Sequence, residues 1–404
     1  MGVNVLEGNK FERMVSAFEL MAIAQAKDID LSNFHEVQSI VKEGKAAEFF
    51  NIGDQIIVTW NPDGGQTEHN LPFDVVSFEP APDASGNLHP AMWLQSHYAL
   101  TGIQFDGNEA FYVPAAVMPA GTYHFSMANS WGTNVVANKV YQFTTTKEIP
   151  ANGQLVLGTA SSNTSGLPDT APENWRVRTY KTGDQLDPDE VLTLTEGSEG
   201  TDLGSLSSSQ KYSASGMNNM QRAAYGYNRW SQSAIRQWLN SSEAAGAWWH
   251  QMNPFDHRPD QLASVRGFRA GLPNDFLSVL KPIKVTTALN TVSDADIGAS
   301  EDTMDTFFLP SLEQEYIAPQ ASGVEGSAWQ YWIDRLDGTR HAQGAIRTEH
   351  IRYAYENHSS AQAVRLRSAL RGYAVNAWYV SSSGGAHGYY ATGALRPAPA
   401  CVIW

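Results

Sequence analysis

From Phe50 onward the hydrophobic pattern changes its period, and that change constrains the fold more than any other feature. The segments GDQIIVTW, FDVVSF, AMWLQSHYAL, EAFYVPA, GTYHFSMA, KVYQFTTTKEI and GQLVLG are rich in β-branched and aromatic residues. The turn signals NPDGG, PDASGN, DGN, MPAG and PANG punctuate them. Short runs of this kind bounded by Gly, Pro, Asn and Asp read as strands joined by tight turns. Residues 49–158 are therefore expected to form a β-rich domain, a sandwich or jelly roll.

Upstream, Phe11, Met14, Val15, Phe18 and Met21 recur at helical spacing, and AKDIDLS interrupts them. Asn33 stands three residues before Glu36, a capping-box spacing for a second helix carrying Phe34, Val37, Ile40 and Val41. Residues 1–48 thus read as a helical arm, either packed on the next domain or serving oligomerisation or attachment. Residues 159–171 lie within TASSNTSGLPDTAPEN, a stretch poor in hydrophobics that reads as a linker. Beyond it, NRWSQSAIRQWLN predicts a helix capped by Ser231 and stapled by Trp230 and Ile235. NDFLSVL predicts another helix, while IKVTTALN and TFFLPS read as strands. The long loops at 241–270 and 318–360 are expected to be functional or held down by another chain. The fold class expected is multidomain α+β.

Chemistry is conspicuous mainly where it is excluded. With 42 acidic against 27 basic side chains the net charge is −15, which argues against nucleic acid and anionic membranes as partners. The single Cys401 rules out an intrachain disulfide and any multi-cysteine zinc site, and its apolar flanks make it a buried thiol. No apolar run reaches the ~20 residues a membrane span needs, and the N-terminal residues lack the features of a secretory signal. The expectation is a product made in a cytoplasm, with any export by lysis or assembly. His341, His350 and His358 are nine and eight residues apart, which fits neither one helical face nor a zinc spacing. They read as solvated or hydrogen-bonded loop histidines. DADIGASEDTMD, 294–305, begins D-x-D without EF-hand spacing and reads as a solvated acidic loop. No cofactor is expected, with Ca²⁺ the one ion left open.

The tail differs from the rest. Residues 357–404 contain no Asp or Glu, and Tyr373, Trp378, Tyr379, Tyr389 and Tyr390 stand among Ser, Gly and Asn. That composition is typical of paratopes, where Tyr and Trp give rigid contact area and small polar residues give adaptable hydrogen bonds.

Three blocks carry a family resemblance: Y-N-R-W-S-Q-S-A-I-R-Q-W-L-N at 227–240, F-F-L-P-S at 307–311, and the ending R-L-R-S … W-Y-V-S-S-S-G … A-L-R-P-A. Together they resemble a domain of virion proteins from phages of gut Firmicutes and of some bacterial surface proteins. The last block is similar to the variable region of diversity-generating retroelement target proteins. In the N-terminal half, VQSIVKEGKAAEFFNIGDQI, FDVVSFEP and FDGNEAFY also look like phage structural proteins. The resemblance implies a C-type-lectin-like domain at 172–404 in a virion protein. Leu366, Arg367, Ser368, Trp378, Val380, Gly384, Arg396 and Pro397 would be framework. Tyr373, Asn376, Tyr379, His387, Tyr389 and Tyr390 would be the ligand-binding display set. The usual Gly-Val-Arg-Pro reads Ala394-Leu395-Arg396-Pro397 here, which puts the tight-turn glycine in question. The cysteine pair of the related formylglycine-generating enzymes is absent, leaving that activity without its chemistry. The function implied is non-enzymatic adhesion to a host-surface protein or glycan, by a homo-oligomer with a trimer favoured. The alternatives are a head or tail decoration protein binding neighbouring virion subunits, and a glycan-active hydrolase.

Overall fold

The computed structural model describes residues 33–404 except 66, 110–111, 128–137, 152, 160–174, 181–189, 207–221, 223–224 and 254. The first expected helix and nearly all of the expected linker lie outside these residues. The described chain is mixed helix and sheet, rich in strands, with few short helices and no closed barrel among the described strands.

Its main sheet joins both ends of the chain. The strands run in the order Gln55–Trp60, His69–Ser77, Met92–Ser96, Ala400–Ile403, Phe307–Phe308, every neighbour antiparallel. Met92–Ser96 and Ala400–Ile403 are buried at every position. Continuous burial is the mark of a central strand covered on both faces. A second sheet again mixes the two halves: Ala386–Tyr390, Asn376–Val380, Val364–Ala369, Ala394–Pro397, Ile103–Gln104.

The expected division at 159–171 is therefore corrected. Residues 55–104 share sheets and one hydrophobic core with 230–404. Strand rhythm reveals that strands exist but not which distant strand pairs with them. Residues within 121–206 contribute a six-stranded sheet of their own, ordered Thr201–Leu206, Gly121–Met127, Val140–Thr145, Glu190–Glu196, Trp175–Tyr180, Gln154–Thr159. Tyr123, Phe125, Tyr141 and Phe143 stack within it.

The helix Phe34–Lys42 is not a free arm either. Asn33 caps it, accepting from the His35 N–H at 3.0 Å while its amide donates to Glu36 at 3.3 Å. Its buried face meets the helix Asn274–Val279 through Phe34 and Phe276, ring centroids 5.1 Å apart. The Gln38 amide donates to the Val279 and Trp404 carbonyls. This apolar face is covered by the chain's own core.

The helix Ala234–Asn240 starts at Ser233, not at Ser231, because Trp230–Gln232 forms a 3-10 turn first. The expected staple lapses with that shift, although Trp230 and Ile235 remain fully buried. The helix Asn274–Val279 and the strands Ile283–Ala288 and Phe307–Phe308 form where expected. The long loops are held by their own aromatics. Trp248 and Trp238 donate to the Val265 and Arg266 carbonyls, and Trp329 and Trp332 are buried around the helix Gln330–Arg335. Cys401 lies buried in its strand, and burial pushes its thiol well above the ordinary range.

Candidate functional site

The acid-free tail folds into a hairpin whose two faces differ in kind. Asn376–Val380 pairs with Ala386–Tyr390 in the register Tyr379 to His387 and Ala377 to Tyr389. Trp378, Val380 and Ala386 turn inward onto Leu312, Ile317 and Leu366. On the other face Tyr379 lies 6.1 Å from His387 and 5.8 Å, edge-on, from Tyr389. Alternation along a strand produces this division, since successive side chains point to opposite faces.

The six display residues separate into two groups. Tyr373 is 44% exposed in the turn leading into the hairpin, Tyr389 is 43% exposed, His387 is exposed and Tyr379 half-buried. Tyr390 and Asn376, directly opposite each other, are half-buried. Tyr390 stacks on Tyr225 with centroids 3.8 Å apart, and burial pushes the Tyr225 hydroxyl above its usual range. That pair acts as packing, so the open edge consists of Tyr373, Tyr379, His387 and Tyr389.

Buried polar side chains hold this edge in place. Arg365, fully buried, donates to the carbonyls of Ala377 (3.0 Å), Tyr389 (3.1 Å), Tyr390 (2.8 Å) and Gly393 (3.0 Å). Burial pushes its guanidinium down to about 9, still charged at neutral pH. Arg367, also buried, reaches the Leu309, Thr286 and Glu325 carbonyls and the Gln314 side chain. The Asn228 amide donates to the Tyr373 and Asn376 carbonyls at 2.6 and 2.7 Å, setting the turn between them. Gly384 has φ +87° and no room for a side chain, because a Cβ would lie 2.1 Å from the Arg347 carbonyl oxygen. The turn before Arg396 is made at Gly393, one residue before the position in question; a Cβ there would meet the Tyr389 ring at 2.3 Å. The framework residues Leu366, Arg367, Ser368, Trp378, Val380 and Pro397 are all buried.

Arg365 and Asn228 were missed as anchors. Two arginines flanking one leucine in a strand without acidic neighbours was the signal available.

A second polar centre lies behind the hairpin. Asp106, Glu109 and Asp256 are buried, each offering a carboxylate oxygen within 4.8 Å of the others. Backbone bridging of Glu109 to Asp256 brings two of them together. Arg222 pairs with Glu109 and lies 3.3 Å over the Tyr227 ring, and the Tyr227 hydroxyl donates to Asp294. Burial, then repulsion from Asp256 and Glu109, pushes the Asp106 carboxyl well above its usual range. Burial, then Glu109, pushes Asp256 up to about 7. Nothing in the sequence marked these residues as a group, since about 150 positions separate Asp106 from Asp256.

Two other expectations change. The acidic run 294–305 is a solvated loop only in part: residues 295–299 are exposed, Asp296 among them, and so is Asp302. Asp294 and Asp305 are buried, Asp305 accepts from Trp230 and Arg236, Glu301 pairs with Arg229, and Ser300–Asp305 is a strand. His341 and His350 are core residues with Nδ1 atoms 3.2 Å apart, their Nε2 atoms on the Ala345 and Glu315 carbonyls. Burial, then His341 and Arg352, holds His350 down to about 3, so it is neutral at pH 7. His358 is exposed and stacks on Tyr98 at 4.2 Å. A cleft of about 390 Å³ opens elsewhere, lined by Glu79, Trp93, Lys284, Phe308 and Trp329 among others.

Residues 205–403, just under half of the chain, match a family described as a domain of unknown function (DUF6273). The match takes in the hairpin, Arg365 and Asp256, but not Asp106 or Glu109. No curated protein and no solved structure matches the chain.

Proposed function

We propose that this chain is a non-enzymatic binding protein of a phage particle, and that Tyr373, Tyr379, His387 and Tyr389 contact a protein or glycan on the host surface. The observation that carries the reading is the hairpin's outer face: partly exposed aromatic and imidazole side chains on a backbone fixed by the buried Arg365 and Asn228. Rigid aromatic anchors lose little side-chain freedom on binding, which suits them to recognition. The phage context comes from the resemblance of the three sequence blocks and extends to a C-type-lectin-like arrangement and a trimeric particle component. The Asp106, Glu109 and Asp256 carboxyl groups are buried, where a sugar cannot reach them, so this cluster lends no support to a hydrolase.

The test is capture of the purified full chain by a panel of gut Firmicutes cells and by a glycan array. Tyr379→Ala/Tyr389→Ala should reduce capture at least tenfold, since truncating aromatic hot spots costs about 2 kcal/mol or more, with the melting temperature unchanged. Equal capture by the wild type and the double variant would overturn the reading. Incorporation into particles that fails in that variant would move the same surface to a decoration role.

A further inference from the structure

Three segments far apart in the chain meet at the buried carboxylates. FDGNEAFY brings Asp106 and Glu109, the segment leading into the Y-N-R-W block brings Arg222, and the 252–258 loop brings Asp256. Two glycines permit the approach. A Cβ on Gly107 would lie 2.1 Å from the His257 carbonyl oxygen, and one on Gly226 would lie 2.7 Å from that of Gly107. Among the described residues three carboxyl groups face the Arg222 guanidinium, so full ionisation would leave an excess of negative charge there. Asp106 Oδ2 accepts only the distant Tyr227 N–H, at 3.3 Å. Its Oδ1, on a residue 2% exposed, has no hydrogen-bond partner. A buried carboxyl oxygen left without a donor is a costly feature unless a ligand fills it.

We propose that Asp106, Glu109 and Asp256 bind one calcium ion, which cancels the excess negative charge and takes Asp106 Oδ1 as a ligand. The oxygen-only set suits a hard cation, and oxygens around one Ca²⁺, at about 2.3–2.6 Å each, can stand up to about 5 Å apart. Magnesium, with bonds of about 2.0–2.1 Å and a reluctance to lose water, fits this span less well. The ion would brace the strap that supports the hairpin. The Arg222 backbone carbonyl accepts from the Glu109 and Gly226 N–H groups, the Asp106 N–H donates to the Ala391 carbonyl, and Tyr225 stacks on Tyr390. The site does not depend on what the hairpin binds.

The experiment uses the full chain treated with EDTA and then dialysed. Adding about 5 mM CaCl₂ should raise the melting temperature by about 5 °C or more, MgCl₂ should do less, and equilibrium dialysis should find one bound Ca²⁺ per chain. Asp106→Asn keeps the shape and the acceptor for Tyr227 N–H while removing charge. It should melt at or above the calcium-free wild type and lose both the shift and the bound ion, and Glu109→Gln provides a second variant. A wild type that binds no calcium at this concentration overturns the proposal. So do variants that bind calcium as the wild type does.

Discussion

Two buried charged centres of this molecule, Arg365 and the Asp106–Glu109–Asp256 group, solve the same problem in opposite ways. Arg365 has no acidic partner, yet four backbone carbonyls accept from its two terminal nitrogens, and only its Nε lacks an acceptor. The other centre gathers three carboxyl groups around Arg222 and leaves Asp106 Oδ1 without a donor. A buried charge that directs most of its donors onto the backbone acts as scaffold. One left short of partners marks a place where the fold tolerates cost, and such places are where ligands are sought. The cation sits beneath the hairpin and fixes it; the anions sit further back and remain open to an ion.

The contrast can be broken most severely at the cation. Arg365→Met should cost more than about 3 kcal/mol, because bonds from a charged donor contribute about 1.5–3 kcal/mol and several carbonyls are orphaned together. Urea unfolding measures it, and a loss under about 1 kcal/mol would show that water replaces the guanidinium.

A smaller effect separates neutral burial from charged burial. His350 is held neutral with a folded pKa near 3 against an ordinary 6.5. The unfolded chain therefore binds the extra proton between those values, and this residue's contribution, complete above pH 6.5, is lost as pH falls toward 3. The loss should reach about 2 kcal/mol by pH 5. Unfolding of the wild type and His350→Gln across pH 7 to 5 should show a shallower slope for the variant; parallel slopes would place the proton elsewhere.

At the anions the expected change reverses sign. In metal-free buffer Asp106→Asn should be neutral or stabilising by up to about 1 kcal/mol, since it removes like-charge repulsion at a buried site. A loss comparable to that of Arg365→Met would mean that the two centres are equally satisfied, and the comparison would fail. The smallest effect belongs to the open edge. Tyr389→Ala should change stability by about 0.5 kcal/mol or less, as exposed substitutions usually do. Early melting would instead make that ring part of the core.

Much of the local structure was legible before any coordinates. The Asn33 cap, the short strands, the inert Cys401 and the inward Trp378, Val380 and Leu366 follow from spacing, turn chemistry and alternation, which act over a few residues. The tail's paratope-like composition also located the open edge, although Tyr390 and Asn376 turned out to be tied inward. What the sequence by itself determined was thus the identity of elements and the facing of side chains within each. Only the tertiary structure decided that Ala400–Ile403 pairs with Met92–Ser96, that Arg365 ties four carbonyls, that His341 meets His350, and that Asp106 meets Asp256. Such partners are chosen by burial and charge balance between segments far apart in the chain, and no periodicity along the chain encodes them.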